Sequence, residues 1–116
     1  MKGGISMKIA ISSTGPRLND LVDPRFSHCR FYVFYDMDTG SYESKENTAG
    51  MNWVTRETVT GNLVAAEKTD FVLTGHIGRK AAALLKGADV RIFLGATGSV
   101  KSVIEAFQSG QLEEQI

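Results

Sequence analysis

Residues 71–109, FVLTGHIGRKAAALLKGADVRIFLGATGSVKSVIEAFQS, alternate short apolar runs with longer amphipathic ones. The runs Phe71–Thr74 and Val90–Leu94 have the length and the β-branched and aromatic content of buried strands. The segments that follow them, Arg79–Lys86 and Val100–Ser109, space their apolar side chains as a helix does. This rhythm of strand, helix, strand and helix is typical of parallel strands joined by crossover helices, and so predicts an α/β domain.

Each of these two helices has a predicted buried face and end signals. Ser99 is suited to cap the second helix, while Gly87 and Gly110 are suited to end the two helices. The predicted buried positions are Ala81, Leu84, Leu85 and Ala88 in the first helix and Val100, Val103, Ile104 and Phe107 in the second.

The first half of the chain adds a strand, a hairpin and a helix. Lys8–Ser13 is a short apolar run, and Phe31–Asp36 and Ser41–Glu46 form a hairpin around an Asp-Thr-Gly turn. Trp53–Lys68 is predicted as a helix because a parallel crossover into Phe71 requires one. The whole pattern predicts an α/β fold with a mixed five-stranded sheet and three helices. We assign residues 1–6 to an N-terminal extension, 7–112 to one domain and 113–116 to a C-terminal tail.

The composition excludes several classes of function. The chain of 116 residues carries 13 basic and 13 acidic side chains, so it has no long-range attraction to nucleic acid or anionic membranes. Its single cysteine, Cys29, excludes an internal disulfide and any zinc or iron–sulfur site that needs four cysteines of this chain. No apolar stretch approaches the ~18 residues of a membrane span, and residues 1–6 lack the apolar run of a signal peptide. We expect a cytoplasmic protein that binds neither nucleic acid nor membrane.

Three glycine-bearing loops follow the predicted parallel strands. In open α/β sheets ligands bind beyond the carboxyl ends of such strands, and the amides at a helix start attract anions. The loops Ser12–Gly15, Thr74–Gly78 and Gly95–Ser99 are therefore predicted to form an anion cradle. Its candidate residues are Gly75, His76, Gly78, Gly95, Thr97 and Gly98. The same glycines are also explained by tight turns alone.

A fourth segment should join these loops, because a second strand antiparallel to the first begins where the first one ends. The connection to that strand runs about 16 residues, which is long enough to suggest a function. It holds Arg25, His28 and Cys29, which brings the only cysteine and one of two histidines toward His76. His28, Cys29 and His76 are candidate metal ligands. A packed cysteine, ordinary loop histidines and solvated arginines are the plainer interpretation.

Known catalytic patterns are missing. The run Gly95–Ser102 lacks the glycine and lysine spacing of a phosphate-binding Walker loop. The first strand holds no carboxylate for a two-metal nuclease, and no residue orients a Cys29–histidine pair. We therefore predict that the protein is not an enzyme.

Several of these motifs together resemble the dinitrogenase iron-molybdenum cofactor biosynthesis family. They are Met7-Lys-Ile-Ala-Ile11, the stretch Asp23–Cys29 before an aromatic strand, Thr74-Gly-His-Ile-Gly78 before an alanine-rich helix, and Leu94-Gly-Ala-Thr-Gly98. The resemblance covers Met7 to Leu112 and implies a ribonuclease-H-like, three-layer α/β fold. It also implies a nitrogenase-cofactor carrier or accessory protein.

The chain departs from the family pattern at two positions of this stretch. Arg25 stands where cofactor-carrying members tend to have histidine, and Ser27 replaces a glycine. Cys29 matches a cysteine that some members keep, and His76 matches the family motif without change.

The resemblance and the residues together predict a carrier that binds an iron–molybdenum or related iron–sulfur cluster. A preassembled cluster needs only one or two soft or borderline ligands, which thiolate and imidazole supply. Arg25, Arg30, Arg79 or Lys80 would balance its negative charge. Expected partners are the cluster and a protein that donates or accepts it. The alternative is a non-catalytic regulatory or interaction module that binds a small anion or a protein partner through the same loops.

Overall fold

The computed structural model describes residues 7–49 and 54–116, so the predicted extension 1–6 and the predicted helix start at Trp53 lie outside the described residues. The strands are β1 Lys8–Ser13, β2 Phe31–Asp36, β3 Tyr42–Glu46, β4 Phe71–Leu73, β5 Arg91–Leu94 and β6 Glu113–Gln115. The helices are α1 Arg56–Ala66, α2 Arg79–Gly87 and α3 Val100–Gln108. One turn of 3₁₀ helix, Phe26–His28, precedes β2.

All six strands form one mixed sheet in the order β3-β2-β1-β4-β5-β6. β4 lies parallel to β1 and β5 parallel to β4, while β2 and β6 are antiparallel to their inner neighbours, as is β3 to β2. The predicted α/β class, the mixed sheet and the three helices are confirmed. The predicted count of five strands is wrong.

The sixth strand lies in the segment that we assigned to a C-terminal tail. Glu113–Gln115 is short and polar, so it carries none of the apolar alternation by which a strand is recognised. Its place comes from tertiary contacts. Gly110 turns the chain with a φ of 74°, and the Arg91 guanidinium donates two hydrogen bonds, of 2.8 and 2.7 Å, to the Glu114 carboxylate across the β5–β6 pair.

The sheet is covered on both faces, which gives three layers. Successive strand residues point to opposite faces, so Ala10 packs on the α1 and α2 side and its neighbours Ile9 and Ile11 pack on the α3 side. The α1 and α2 side is formed by Ala10, Tyr32, Phe34, Val64, Val72, Ala81, Leu85 and Ile92. The α3 side is formed by Ile9, Ile11, Val33, Leu73, Val100, Val103 and Ile104. The ribonuclease-H-like classification stays a prediction.

The helix ends follow their sequence signals closely. Ser99 caps α3 as predicted, with its hydroxyl oxygen accepting a hydrogen bond from the Ser102 amide at 3.1 Å. On α2, Ala81 and Leu85 are fully buried as predicted. Ala88 is exposed instead of buried, because it follows the last helical residue and the chain turns at Asp89, which has a φ of 63°.

The connection between β1 and β2 crosses the carboxyl ends of the parallel strands. It forms short bridges between Ser13 and Val22, between Leu21 and Ser99, and between Arg25 and His76. Residues 21–25, which we call the crossing segment, thereby contact all three loops that leave β1, β4 and β5. The crossing segment therefore positions Arg25 and His76 and ties the three loops together.

Gly75 is the position where this crossing leaves no room for a side chain. A Cβ atom there would lie 2.7 Å from both Cα and Cβ of Pro24 and 2.8 Å from its carbonyl oxygen. We expect Gly75→Ala to lower the free energy of unfolding by about 1–3 kcal/mol, since backbone atoms must shift. Urea denaturation measures this change.

Gly87→Ala is the matched control. A Cβ atom at this last residue of α2 would meet no atom within 4 Å, so alanine should raise the free energy of unfolding by about 0.5–1 kcal/mol. Equal effects of the two substitutions would contradict a tight crossing at Gly75.

Candidate functional site

The three predicted loops do converge at the carboxyl ends of β1, β4 and β5. The Ser12 and Thr74 hydroxyl groups lie 2.7 Å apart at the ends of β1 and β4, and both residues are fully buried. The amide of Gly95 donates to the Gly75 carbonyl at 3.2 Å, and the amide of Ala96 donates to the Thr74 carbonyl at 3.1 Å. The loops after β4 and β5 are therefore tied to each other.

The crossing segment occupies the space between these loops. The Val22 amide donates to the Gly98 carbonyl at 2.9 Å, and the Asp23 amide donates to the Ser12 carbonyl at 3.0 Å. The His76 amide donates to the Pro24 carbonyl at 2.8 Å. Backbone amides that we predicted to face a ligand are thus partly used within the chain.

The start of α2 is filled by a carboxylate from α1. One oxygen of Glu57 accepts hydrogen bonds from the Lys80 and Ala81 amides, at 3.0 and 3.1 Å. Gly78 makes this approach possible, because a Cβ atom there would lie 2.3 Å from the same carboxylate oxygen. The predicted anion cradle at Thr74–Gly78 therefore already holds an anion, supplied by Glu57.

The start of α3 is filled by the connection after β1. The Val100 amide donates to the Asp20 carbonyl at 2.9 Å, and the Lys101 amide donates to the Leu18 carbonyl at 2.8 Å. Together with the Ser99 cap, these bonds satisfy the first turn of the helix. The loop glycines at 95 and 98 have φ values of 80° and 101°, so they supply turns that other residues rarely adopt. Thr97 between them is exposed.

The Glu57 contact should contribute measurably to stability. Loss of a side-chain cap costs about 0.5–2 kcal/mol, so we expect Glu57→Ala to lower the free energy of unfolding by about that amount. Glu57→Gln keeps an acceptor oxygen and should lose less. Glu105→Ala, at an exposed position on α3, is the control and should stay near wild type in urea denaturation. Equal stability of Glu57→Ala and wild type would contradict the contact.

Cys29 lies in the core and not on the surface of the site. It is 3 % exposed and packs with the residues under α1 and α2. Its thiol donates to the Phe26 carbonyl at 3.4 Å, and the Tyr32 hydroxyl donates to the same carbonyl at 2.6 Å. Burial raises the pKa of the Cys29 thiol to about 12, and it also raises the pKa of the Tyr32 hydroxyl. The group is therefore a neutral thiol at physiological pH.

Burial of this thiol predicts how the free energy of unfolding changes at alkaline pH. The folded state keeps the Cys29 proton up to a pKa of about 12, whereas the unfolded state loses it near 9.0. Between these values the folded protein binds more protons, so its free energy of unfolding falls as pH rises, by up to about 1.4 kcal/mol per pH unit. Cys29→Ser should show a shallower decline in urea denaturation between pH 9 and 10. Identical slopes for the two proteins would contradict the burial of this thiol.

His28 and His76 lie in different surroundings. His28 is exposed, and its Nδ1 lies 2.7 Å from Nη1 of Arg56 on α1, so this nitrogen accepts a hydrogen bond from the guanidinium. His76 is exposed on the loop before α2. Within residues 7–49 and 54–116, no three His, Cys, Asp or Glu side chains are grouped as metal ligands. The three predicted ligands therefore do not form one enclosed site in this conformation.

Arg25 and His76 are the predicted site residues that the fold brings together. They are partners in a parallel bridge, in which the Phe26 amide donates to the His76 carbonyl at 3.2 Å. The Arg25 side chain is 57 % exposed and pairs with Asp23, with Nε 3.3 Å from a carboxylate oxygen. Asp23, a residue that sequence reasoning left out of the site, is itself buried.

This end of the sheet is basic although the whole chain is neutral. Among the described residues, the basic side chains that lie in the connections at this end of the sheet or begin the helices are Arg17, Arg25, Arg30, Arg56, Arg79, Lys80 and Lys101. The acidic ones are Asp20, Asp23, Glu46, Glu57 and Glu113, the last of which lies opposite Leu94 at the end of β5. Three of these carboxylates are already hydrogen-bonded inside the protein, Asp20 to the Arg17 amide, Asp23 to Arg25 and Glu57 to α2. A positive surface remains for an external anion.

Sequence reasoning missed Asp23, Arg56 and Glu57 as site residues. Asp23 had a local signal, because an aspartate two residues before Arg25 can accept the backbone amide in a turn. For Glu57 and Arg56 the sequence contains no local signal of a role in the site. They meet Gly78 and His28 only through the packing of α1, across 21 and 28 positions of sequence.

Similarity to known proteins extends over nearly the whole chain. The sequence pattern of the family described as dinitrogenase iron-molybdenum cofactor matches residues 7–110. An uncharacterised protein of Methanocaldococcus jannaschii is 29 % identical over 113 residues, which is 93 % of this chain and 91 % of that protein.

Two solved structures have folds that superpose closely on this chain. The apo form of the orange protein from Desulfovibrio gigas has a TM-score of 0.90 at 26 % identity, covering 96 % of this chain and 94 % of the other. A candidate NifB protein of Thermotoga has a TM-score of 0.82 at 30 % identity, covering 93 % of this chain and 92 % of the other. The fold described above is therefore shared over more than nine-tenths of both proteins.

Proposed function

The chain belongs to the dinitrogenase iron-molybdenum cofactor family, and we propose that it is a cytoplasmic, non-catalytic carrier of an anionic iron–molybdenum or iron–sulfur cluster. In this proposal the cluster is cargo that a donor protein supplies and an acceptor protein removes. The observation that carries it is the exposed His76, in the family's Thr-Gly-His motif, on a surface whose nearby charges are mainly basic.

Electrostatics at this surface support an anionic cargo. Arg79 and Lys80 begin α2 directly after the His76 loop, and both are exposed. Since Glu57 already occupies the helix amides beneath them, an external anion would meet the side chains of this surface and not its backbone. Such contacts are long-range and weakened by salt, which suits capture and release of a cargo.

The structure supports one of the three predicted ligands better than the others. His76 has an exposed imidazole, whose ring makes no hydrogen bond within residues 7–49 and 54–116. Cys29 would have to leave the core, and its turn is held by the Asn47 side chain, which donates to the Ser27 and Cys29 carbonyls at 3.1 and 2.8 Å. His28 would act through the ring nitrogen that Arg56 does not contact. We therefore assign the primary metal contact to His76.

Sparse ligation agrees with the task of a carrier. A bare ion would need a closed set of ligands, whereas a preassembled cluster arrives with most of its coordination positions filled. One imidazole and several ion pairs can hold such a cluster without enclosing it. A single exchangeable ligand also leaves the cluster open to an acceptor.

The proposal is tested by loading the purified protein anaerobically. Extracted iron–molybdenum cofactor, or a synthetic iron–sulfur cluster, is added and the protein is separated from free cluster by gel filtration. Visible absorption and metal content should travel with the wild-type protein. We expect His76→Ala to weaken retention about tenfold or more, equivalent to about 1.4 kcal/mol of binding free energy.

Matched variants separate ligation from charge and from Cys29. The double variant Arg79→Gln and Lys80→Gln should weaken retention several-fold at low salt and less at high salt. Lys68→Gln removes an exposed positive charge near the amino end of β4, at the opposite end of the sheet, and should retain the cluster. Cys29→Ser should also retain it. Absence of bound cluster on the wild-type protein, or equal retention by His76→Ala, would overturn the proposal.

A further inference from the structure

We propose that Asp23, Arg25 and His76 form a recognition unit for a carboxylate, such as one carried by a metal cluster. The inference rests on the proposed function, in which this surface receives an anionic cargo. It names the chemical group of the cargo that the protein recognises, a carboxylate, and the residue that binds this group. Arg25 makes the contact and Asp23 positions it.

Asp23 fixes one edge of the Arg25 guanidinium. The carboxylate accepts a hydrogen bond from the Arg25 amide at 2.9 Å, and its two oxygens lie 3.3 and 3.5 Å from Nε and Nη2 of the same residue. The Asp23 side chain is only 9 % exposed, whereas that of Arg25 is 57 % exposed. A buried acceptor therefore orients a largely exposed donor.

The other edge of the guanidinium is not used by Asp23, and the Arg25 side chain is largely exposed. A guanidinium carries five N–H donors, and contacts with Asp23 through Nε and Nη2 leave both hydrogens of Nη1 and one of Nη2. Within the described residues, Arg25 is hydrogen-bonded to Asp23 through Nε and Nη2 and makes no hydrogen bond through Nη1. Such an edge matches the two oxygens of a carboxylate in a planar, two-bond contact.

His76 supplies the neighbouring group. Residues paired in a bridge extend their side chains to the same side of a sheet, and Arg25 is the bridge partner of His76. The backbone contact is held from both sides, by the His76 amide on the Pro24 carbonyl at 2.8 Å and the Phe26 amide on the His76 carbonyl at 3.2 Å. The crossing segment therefore places the backbones of Arg25 and His76 side by side, with both side chains leaving the pair on the same side.

The preference for carboxylate over phosphate rests on the occupied helix starts, because the guanidinium donors themselves fit both anions. Phosphate sites commonly use several backbone amides at the start of a helix. Here the starts of α2 and α3 are occupied by Glu57 and by the Asp20 and Leu18 carbonyls. Recognition then depends on side chains, of which Arg25 offers a planar pair of donors.

The test uses citrate alone, so it does not depend on cluster loading. Because the chain has two histidines, the His76 ring signal is readily resolved by NMR and is assigned with His76→Gln. Citrate should shift this signal in a saturable manner at constant ionic strength, and sodium chloride should not. Inorganic phosphate should bind more weakly than citrate.

Variants then assign the contact. Arg25→Gln should weaken citrate binding about tenfold, and Arg25→Lys should restore it only in part because lysine lacks the planar pair of donors. Asp23→Asn keeps an acceptor for the Arg25 amide but loses the ion pair, so it should fall between Arg25→Gln and wild type. Arg17→Gln removes an equal charge from an exposed position of the same connection and should bind citrate as wild type does.

Several results would overturn the inference. They are a His76 signal that does not respond to citrate, equal losses in Arg25→Gln and Arg17→Gln, full rescue by Arg25→Lys, and phosphate binding as tight as citrate binding. Citrate recognition by a protein that retains no cluster would defeat the proposed function and leave this inference standing. Cluster retention with no citrate response would do the reverse.

Discussion

The crossing of residues 21–25 over the carboxyl ends of the parallel strands is the constraint on which the site depends. Its backbone bonds reach the end of β1, the loop after β4 and the loop after β5. Such backbone pairing is directional and leaves little freedom in the position of each residue. Since Gly75 can lie against Pro24 only without a side chain, the crossing also explains the glycine of the Thr-Gly-His motif.

This constraint changes what kind of binding surface the fold offers. An open α/β sheet normally presents helix starts to a ligand, but here those starts are satisfied within the chain, by Glu57 at α2 and by the 18–20 backbone at α3. The free positive groups are side chains. Attraction between exposed charged side chains and an anion is weakened by salt, which agrees with the proposed carrier role.

Cys29 shows why residue type and proximity in sequence are insufficient to assign a ligand. The stretch Asp23–Cys29 placed a thiol, an imidazole and a guanidinium within seven residues. These residues then separate around one 3₁₀ turn: Cys29 packs in the core, His28 contacts Arg56 on α1, and Arg25 pairs through its backbone with His76. Hydrophobic periodicity cannot predict where the side chains of such a short turn point, because the turn contains no repeat.

The sequence by itself determined the α/β class, the order of the helices, most of the buried positions of α2 and α3, the convergence of the three loops and the local positive charge. These features depend on hydrophobic periodicity and on the rule that parallel strands end at one edge, both of which are local or topological. Only the tertiary structure decided that β6 joins the sheet, that Glu57 fills the start of α2, and that Arg25 and not Cys29 stands beside His76. Each of these is a contact between residues distant in sequence, made by polar groups that carry no periodic signal.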